Sequence, residues 1–206
     1  MLEISNVACV RGERTLFSGL NCSLDTGSLL RVAGPNGSGK TSLLRIVCGL
    51  AAPASGEVRW AGEAVRRMRE EYSRRLIYLG HAHAVKDDLT ARENLAIACA
   101  LSDCQATADA LAGALHELGI ERYADLPARF LSQGQRRRVA LARLVAAAAV
   151  PLWVLDEPFT ALDQGAISRL QEMIGAHVRR GGIVIFTSHQ DVAIAGAVCR
   201  TVELGT

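Results

Sequence analysis

Apolar and polar residues alternate over Leu2-Glu3-Ile4-Ser5, the period of a strand with one buried face, and open a candidate strand Leu2–Cys9. Further candidate strands, with Gly, Asp and Pro between them, are Leu20–Leu24, Leu29–Ala33, Glu57–Trp60 and Leu76–Leu79. Residues 1 to about 79 are therefore predicted to be strand-rich, interrupted by one helix from Thr41 to Leu50. From about 80 to 150 the spacing changes to helical patterns rich in Ala and Leu, around 90–101, 106–118 and 133–148. Strand character returns at Leu152–Leu155, Ile183–Thr187 and Thr201–Leu204, with a helical pattern over 163–179 between them. The order predicts an α/β core, residues 1–79 and 151–206, carrying an inserted helical block of about 80–150. No internal repeat or low-complexity tract interrupts it.

A chain of 206 residues has room for one sizeable domain, or a domain with a subdomain, and for a proper core. Half of it is hydrophobic but only 4% is aromatic, so that core must be mainly aliphatic. A net charge of +2 makes no case for a nucleic-acid partner. Cys9, Cys22, Cys48, Cys99, Cys104 and Cys199 lack C-x-x-C spacing, which argues against a zinc site and for reduced thiols in a cytosolic setting. The N-terminus begins as a strand rather than a signal peptide. The apolar stretch Leu144–Leu155 is too short to span a bilayer, carries Pro151 and runs into two carboxylates, so any membrane association is expected to come through a partner.

The chemistry lies in a few short motifs. Gly34-Pro35-Asn36-Gly37-Ser38-Gly39-Lys40-Thr41 matches G-x-x-x-x-G-K-[ST] between an apolar run and a helical one. Glycines 34, 37 and 39 let backbone N–H groups curl around phosphates. Lys40 reaches the β- and γ-phosphates, and the Thr41 hydroxyl can ligate Mg²⁺. The alternative, a plain Gly-rich strand-to-helix turn, explains neither Lys40 nor Thr41. Asp156 and Glu157 end the apolar run at Leu155, where Asp156 would hold Mg²⁺ and Glu157 would orient or deprotonate the attacking water. His189, after Ile183–Thr187, would bond a γ-phosphate. An Asp-Glu pair or a lone His at a strand end is common in ordinary structure; the P-loop upstream gives both a purpose. Ser132, in Leu131-Ser132-Gln133-Gly134-Gln135, reads as an N-cap that aims a helix dipole outward. Arg136-Arg137-Arg138, which follow it, read as a solvated helix face rather than a nucleic-acid patch.

That segment resembles the signature of ATP-binding-cassette (ABC) proteins, and the resemblance runs from Leu2 to the last strand. It implies a P-loop NTPase cassette with a mixed-sheet nucleotide core, an N-terminal antiparallel β portion and an inserted helical subdomain. It also implies ATP and Mg²⁺ as ligands, with Pro35, Asn36, Ser38 and Ser42 joining the phosphate contacts. In ABC proteins the signature end meets the γ-phosphate held by a second protomer. Ser132, Gln133, Gly134 and Gln135 would then serve the partner's nucleotide, and Asp163 would lie at the dimer interface. Gln133 stands where glycine is commoner.

Two departures narrow the resemblance. Arg11 falls where the family usually stacks an aromatic residue on adenine, a task a guanidinium plane can also perform. His81 falls where the family usually has Gln contacting Mg²⁺ and the attacking water. With the early stop at Thr206, these resemble the ATP-binding subunits of cytochrome c maturation (haem export) systems. That likeness implies integral membrane partners, a place on the cytoplasmic face of the bacterial inner membrane, and a lever around His81–Asp88. An ATPase subunit of another exporter, a soluble ABC protein on ribosomes or DNA, and a non-hydrolysing scaffold are the alternatives. The modest charge and single short cassette weigh against the second, and intact Lys40, Asp156, Glu157 and His189 against the third. His81 and His83 could ligate iron, but a nucleotide-linked loop explains them better.

Overall fold

The computed structural model describes residues 1–82, 84–188 and 192–205. Nine strands are found among them: β1 (Leu2–Arg11), β2 (Arg14–Leu24), β3 (Leu29–Ala33), β4 (Ser55–Trp60), β5 (Glu63–Ala64), β6 (Leu76–Leu79), β7 (Leu152–Leu155), β8 (Ile183–Thr187) and β9 (Cys199–Glu203). The α-helices are α1 (Lys40–Val47), α2 (Arg69–Ser73), α3 (Ala91–Ala100), α4 (Ala108–Glu117), α5 (Gln133–Ala146) and α6 (Gln164–Arg179).

The strands form two sheets, the N-terminal antiparallel portion and the core sheet that the resemblance implies. An antiparallel sheet runs β2-β1-β4-β5, and a five-stranded sheet runs β6-β7-β8-β3-β9. Every pairing in the second sheet is parallel. A parallel sheet must be covered on both faces, which is why its strands read as continuous apolar runs. Alternate residues of each strand go to different cores. Leu30, Val32, Leu152, Val154, Ile183 and Ile185 join Leu43, Leu44, Ile46 and Val47 of α1 and the inner face of β1. Leu29, Trp153, Leu155, Val184 and Phe186 join Leu170 and Ile174 of α6 and the helices α3–α5.

The helical block is present as α3, α4 and α5, which pack on one another between β6 and β7 in sequence. Two of its helices begin with capping boxes, Thr90 with Glu93 and Ser132 with Gln135. Two elements exceed the sequence reading. β2 begins at Arg14, not Leu20, because Gly19 (φ 67°) does not end the strand but sits in a bulge opposite Asn6 (φ 50°). There Asn21 Oδ1 accepts from the Asn6 N–H at 2.8 Å and Asn21 Nδ2 donates to the Gly19 carbonyl at 2.8 Å. The short helix α2 was not foreseen; it is pinned by Tyr72, whose buried hydroxyl donates to the Val47 carbonyl at 2.9 Å.

Candidate nucleotide site

In an open parallel sheet ligands collect beyond the carboxyl ends of the strands. Four ends converge here: the loop Gly34–Gly39 leaves β3, Gly80 and His81 leave β6, Asp156 and Glu157 leave β7, and Thr187 closes β8. They surround a cavity of about 580 Å³ lined by Arg11, Leu16, Asn36, Gly37, Gly39, Lys40, Thr41, Ser42, Arg45, His81, Asp156 and Glu157. The structure thus brings together the predicted phosphate, metal, water and adenine residues. Arg11 reaches the cavity from the β1–β2 hairpin, where Gly12 (φ 58°) opens a two-residue turn between Arg11 and Arg14.

The glycines of the loop are required for two reasons. At Gly34 (φ 138°) a Cβ would lie 2.4 Å from the Leu204 carbonyl oxygen and 2.7 Å from Ser38 Oγ. Gly39 (φ 101°) caps α1 in the left-handed region, with a Cβ meeting Phe17 and Leu16 at 3.0–3.1 Å. The loop therefore delivers the α1 N-terminus, with its unpaired N–H groups, directly to the cavity. Lys40 is buried, its ammonium donating to the Gly34 carbonyl at 2.7 Å and the Pro35 carbonyl at 3.2 Å.

Asp156 is 2% exposed, and its carboxylate is held at both oxygens. Thr41 Oγ1 donates to Oδ2 at 2.8 Å and Thr187 Oγ1 donates to Oδ1 at 2.7 Å. The Thr187 hydroxyl also accepts from the Glu157 N–H at 2.7 Å, so one side chain ties both carboxylate residues to β8. The sequence marks Thr187 only as the end of a strand and gives no sign of this task. Glu157 has φ 49°, an uncommon value for a residue with a side chain, and faces the cavity. Nearby Tyr78 has its phenol pushed up to about 12, first by burial and then by the charge of Asp156.

The signature segment lines a second, adjoining cavity. Leu131, Gln133, Arg136, Arg137, Thr160 and Ala161 enclose about 530 Å³, and His81 and Glu157 border both spaces. Ser132 is the N-cap of α5: its Oγ accepts from Gln135 N at 3.2 Å, while Gln135 Oε1 accepts from Ser132 N at 2.8 Å. The Gln135 side chain thus closes a cap within its own chain. Gly134 has a local reason to be glycine, since a Cβ there would stand 2.8 Å from the Ala161 carbonyl oxygen. Asp163 caps α6, Oδ1 accepting from Ala166 N at 2.9 Å, and its other oxygen pairs with Arg138.

The solvated-face reading of the arginine run is corrected. Arg136 pairs with Asp87 and Arg138 with Asp163, while Arg137 is 2% exposed and donates into the site. Its guanidinium reaches the carbonyl oxygens of Glu157 at 2.8 Å and Asp156 at 3.0 Å. It also reaches those of Gly80 at 3.3 Å and Pro158 at 3.4 Å. Burial pulls its pKa down, and the charges of Asp156 and Glu157 raise it. The predicted His189, and His83, lie outside the described residues.

A P-loop and paired carboxylates at the strand ends, with a capped signature helix beside them, define an ABC-type ATPase. The chain belongs to the ABC transporter family, whose model matches residues 17–160. Its similarity to curated relatives spans nearly the whole length. The cytochrome c biogenesis ATP-binding export protein CcmA of Nitrosospira multiformis is 50% identical over 203 residues, 98% of each chain. The protein of that name from Dechloromonas aromatica is 47% identical over 205 residues, covering all of both chains. Among solved structures, an ATP-binding cassette dimer in a post-hydrolysis state with ADP and Pi superposes with a TM-score of 0.83, at 24% identity over 99% of this chain and 94% of that one. A putative ABC transporter ATP-binding protein from Pyrococcus furiosus gives 0.81, at 22% identity over 98% and 96%. Among the described residues no helix is long and apolar enough to cross a membrane.

Proposed function

We propose that this chain is the ATP-hydrolysing subunit of a membrane export complex serving cytochrome c maturation, coupling nucleotide turnover to haem export or to release of haem from its carrier. The observation that carries the hydrolytic part is the Thr41–Asp156–Thr187 chain of hydrogen bonds with Glu157 at its edge. The near-complete similarity to export proteins of cytochrome c biogenesis supports the task.

The donor set suits Mg²⁺: one hydroxyl and one carboxylate oxygen, both hard, stand 2.8 Å apart at the mouth of a phosphate cradle, leaving other positions for phosphate and water. When bound, the ion neutralises charge developing between the β- and γ-phosphates. Thr41 and Asp156 would hold it, with His81 close by. ATP would lie with its phosphates along Asn36–Ser42, and Lys40 would exchange the Gly34 and Pro35 carbonyls for phosphate oxygens. The Arg11 guanidinium would stack on adenine. Glu157 takes a proton from the attacking water, and His189 bonds the γ-phosphate. Positioning and charge stabilisation carry the rate, because phosphoryl transfer needs little covalent chemistry from the protein.

One chain supplies only half of this arrangement. Ser132, Gln133 and Gly134 are absent from the lining of the chain's own P-loop cavity, and Gln133 lines the adjoining one, which supports a two-fold dimer with each signature on its partner's ATP. Closure and reopening would move the helical block against integral membrane subunits, with the chain on the cytoplasmic face of the bacterial inner membrane. The test is Lys40→Ala in cells: ATPase activity and assembled c-type cytochromes should both vanish. Normal cytochromes alongside a dead ATPase would assign the chain to another exporter.

A further inference from the structure

Glu157 is held by its backbone from two sides. Its N–H donates to Thr187 on β8, and its carbonyl accepts from Arg137 on α5. This matters because the residue occupies the left-handed region, where a side chain disfavours staying unless the surroundings over-determine it. The Glu157 carbonyl also accepts from the Thr160 N–H at 3.2 Å within the turn itself, and Arg137 is the holder that reaches the turn from a helix. Its planar fork, with five donors and no acceptor, can serve several carbonyls at once. Here it serves those of Asp156, Glu157 and Pro158 around the turn, and that of Gly80 immediately before His81. A cation this deeply buried on a helix is costly unless it is so compensated. The same helix carries the signature segment at its N-terminus, with Ser132 as N-cap about one turn before Arg137.

We propose that Arg137 is a positioning residue for hydrolysis: it holds Glu157 in its left-handed backbone conformation and fastens that conformation, together with the loop at His81, to the signature helix. Movement of α5 when its N-terminus engages a nucleotide is then transmitted rigidly to the chain's own carboxylate. This rests on Glu157 acting in hydrolysis, as proposed above.

The experiment uses the full chain with its co-purifying membrane subunits and compares Arg137→Met, Arg137→Lys and Arg143→Met. Arg143 lies further along the same helix, is largely buried and bonds Ser102, but touches neither carboxylate residue. A positioning role predicts that Arg137→Met lowers kcat by about thirtyfold or more, while the Kd for ATP stays within about threefold. Arg137→Lys, which keeps the charge without the fork, should regain part of that loss. Arg143→Met should keep kcat near wild type even where it lowers the melting temperature. Unchanged kcat in Arg137→Met, loss of ATP binding in it, or an equal fall in Arg143→Met would overturn the assignment. If the methionine variant does not fold, Arg137→Lys decides: it must lower kcat with ATP affinity intact, and full activity refutes the role. Glu157→Gln separates the two readings. Undiminished turnover there sinks the catalytic assignment itself, whereas an inactive Glu157→Gln beside a normal Arg137→Met counts against Arg137 alone.

Discussion

Replacing Thr187 by valine tests whether one hydroxyl organises both carboxylate residues. The side chain is fully buried, and valine matches its shape, so packing is retained and only polarity changes. Two bonds are lost. The Glu157 N–H, 2.7 Å from Oγ1, loses its acceptor, and an unsatisfied buried donor costs about 1–3 kcal/mol. Asp156 Oδ1 loses a donor at 2.7 Å, and hydrogen bonds to charged groups contribute about 1.5–3 kcal/mol. The two effects share one group and will not add fully, so a destabilisation of about 2–5 kcal/mol is expected, a large share of the roughly 5–15 kcal/mol typical of a domain. Serine in place of Thr187 keeps both bonds and loses a methyl, for about 1 kcal/mol. Urea denaturation of the three proteins at pH 7 measures these differences. In the same preparations Thr187→Val should lose kcat by at least about tenfold, because the Glu157 backbone is freed on one side. A valine variant within about 1 kcal/mol of wild type, or a serine variant equally damaged, would refute the reasoning.

Two further outcomes follow from the site and the core. Glu157→Gln should still bind ATP yet turn it over at least about a hundredfold more slowly, accumulating a nucleotide-bound dimer visible by light scattering; a monomer at saturating ATP would remove the sandwich. His177 is 3% exposed, stacked on Trp153 at 3.9 Å between ring centroids, and its pKa is lowered to about 4, chiefly by burial and secondarily by Arg180, against an opposing bond to the Pro151 carbonyl. A folded pKa below the unfolded value of about 6.5 means that protons favour the unfolded chain. The His177 contribution is then intact above pH 6.5 and is lost as the pH falls towards 4, by up to about 3 kcal/mol. His177→Phe should flatten that part of the stability–pH curve in urea titrations; an unchanged slope would show that the imidazole is not the group responsible.

The parts of the molecule legible in its sequence are those where local chemistry and tertiary demand agree. The parallel strands read as apolar runs because both their faces are buried, and the P-loop because glycine is sterically required at Gly34 and Gly39. Ser132 was legible as an N-cap because capping is a local bond. Other features depend on distant partners. Gly19 signals a break, but its bulge is compatible with a continuous strand only because Asn6 and Asn21 accommodate it across the pair. Gly134 suggested phosphate contact, whereas the clash it avoids is with the Ala161 carbonyl, twenty-odd residues on. The division into an antiparallel and a core sheet came from the resemblance and not from the strand pattern, since alternation reports a buried face and not the direction of the neighbouring strand.

Arg137 is the instructive miss, because a signal for it existed. Successive helical residues are turned by about 100°, so three adjacent arginines cannot all point into solvent from one face. Positions 137, 141 and 144 share one stripe at the i, i+4, i+7 spacing, and Leu141 and Leu144 are fully buried. The periodicity alone therefore assigns Arg137 to the core side, and a buried guanidinium demands acceptors. The carbonyls best able to supply them are those freed where strands end, since a parallel ladder stops there and leaves its last oxygens unpaired. Asp156 and Glu157 stand at such a strand end, where a ligand can approach a sheet covered on both faces. A charged residue on the apolar stripe of the signature helix is thus led to the backbone of the Asp156–Glu157 turn by the same geometry that puts the turn there.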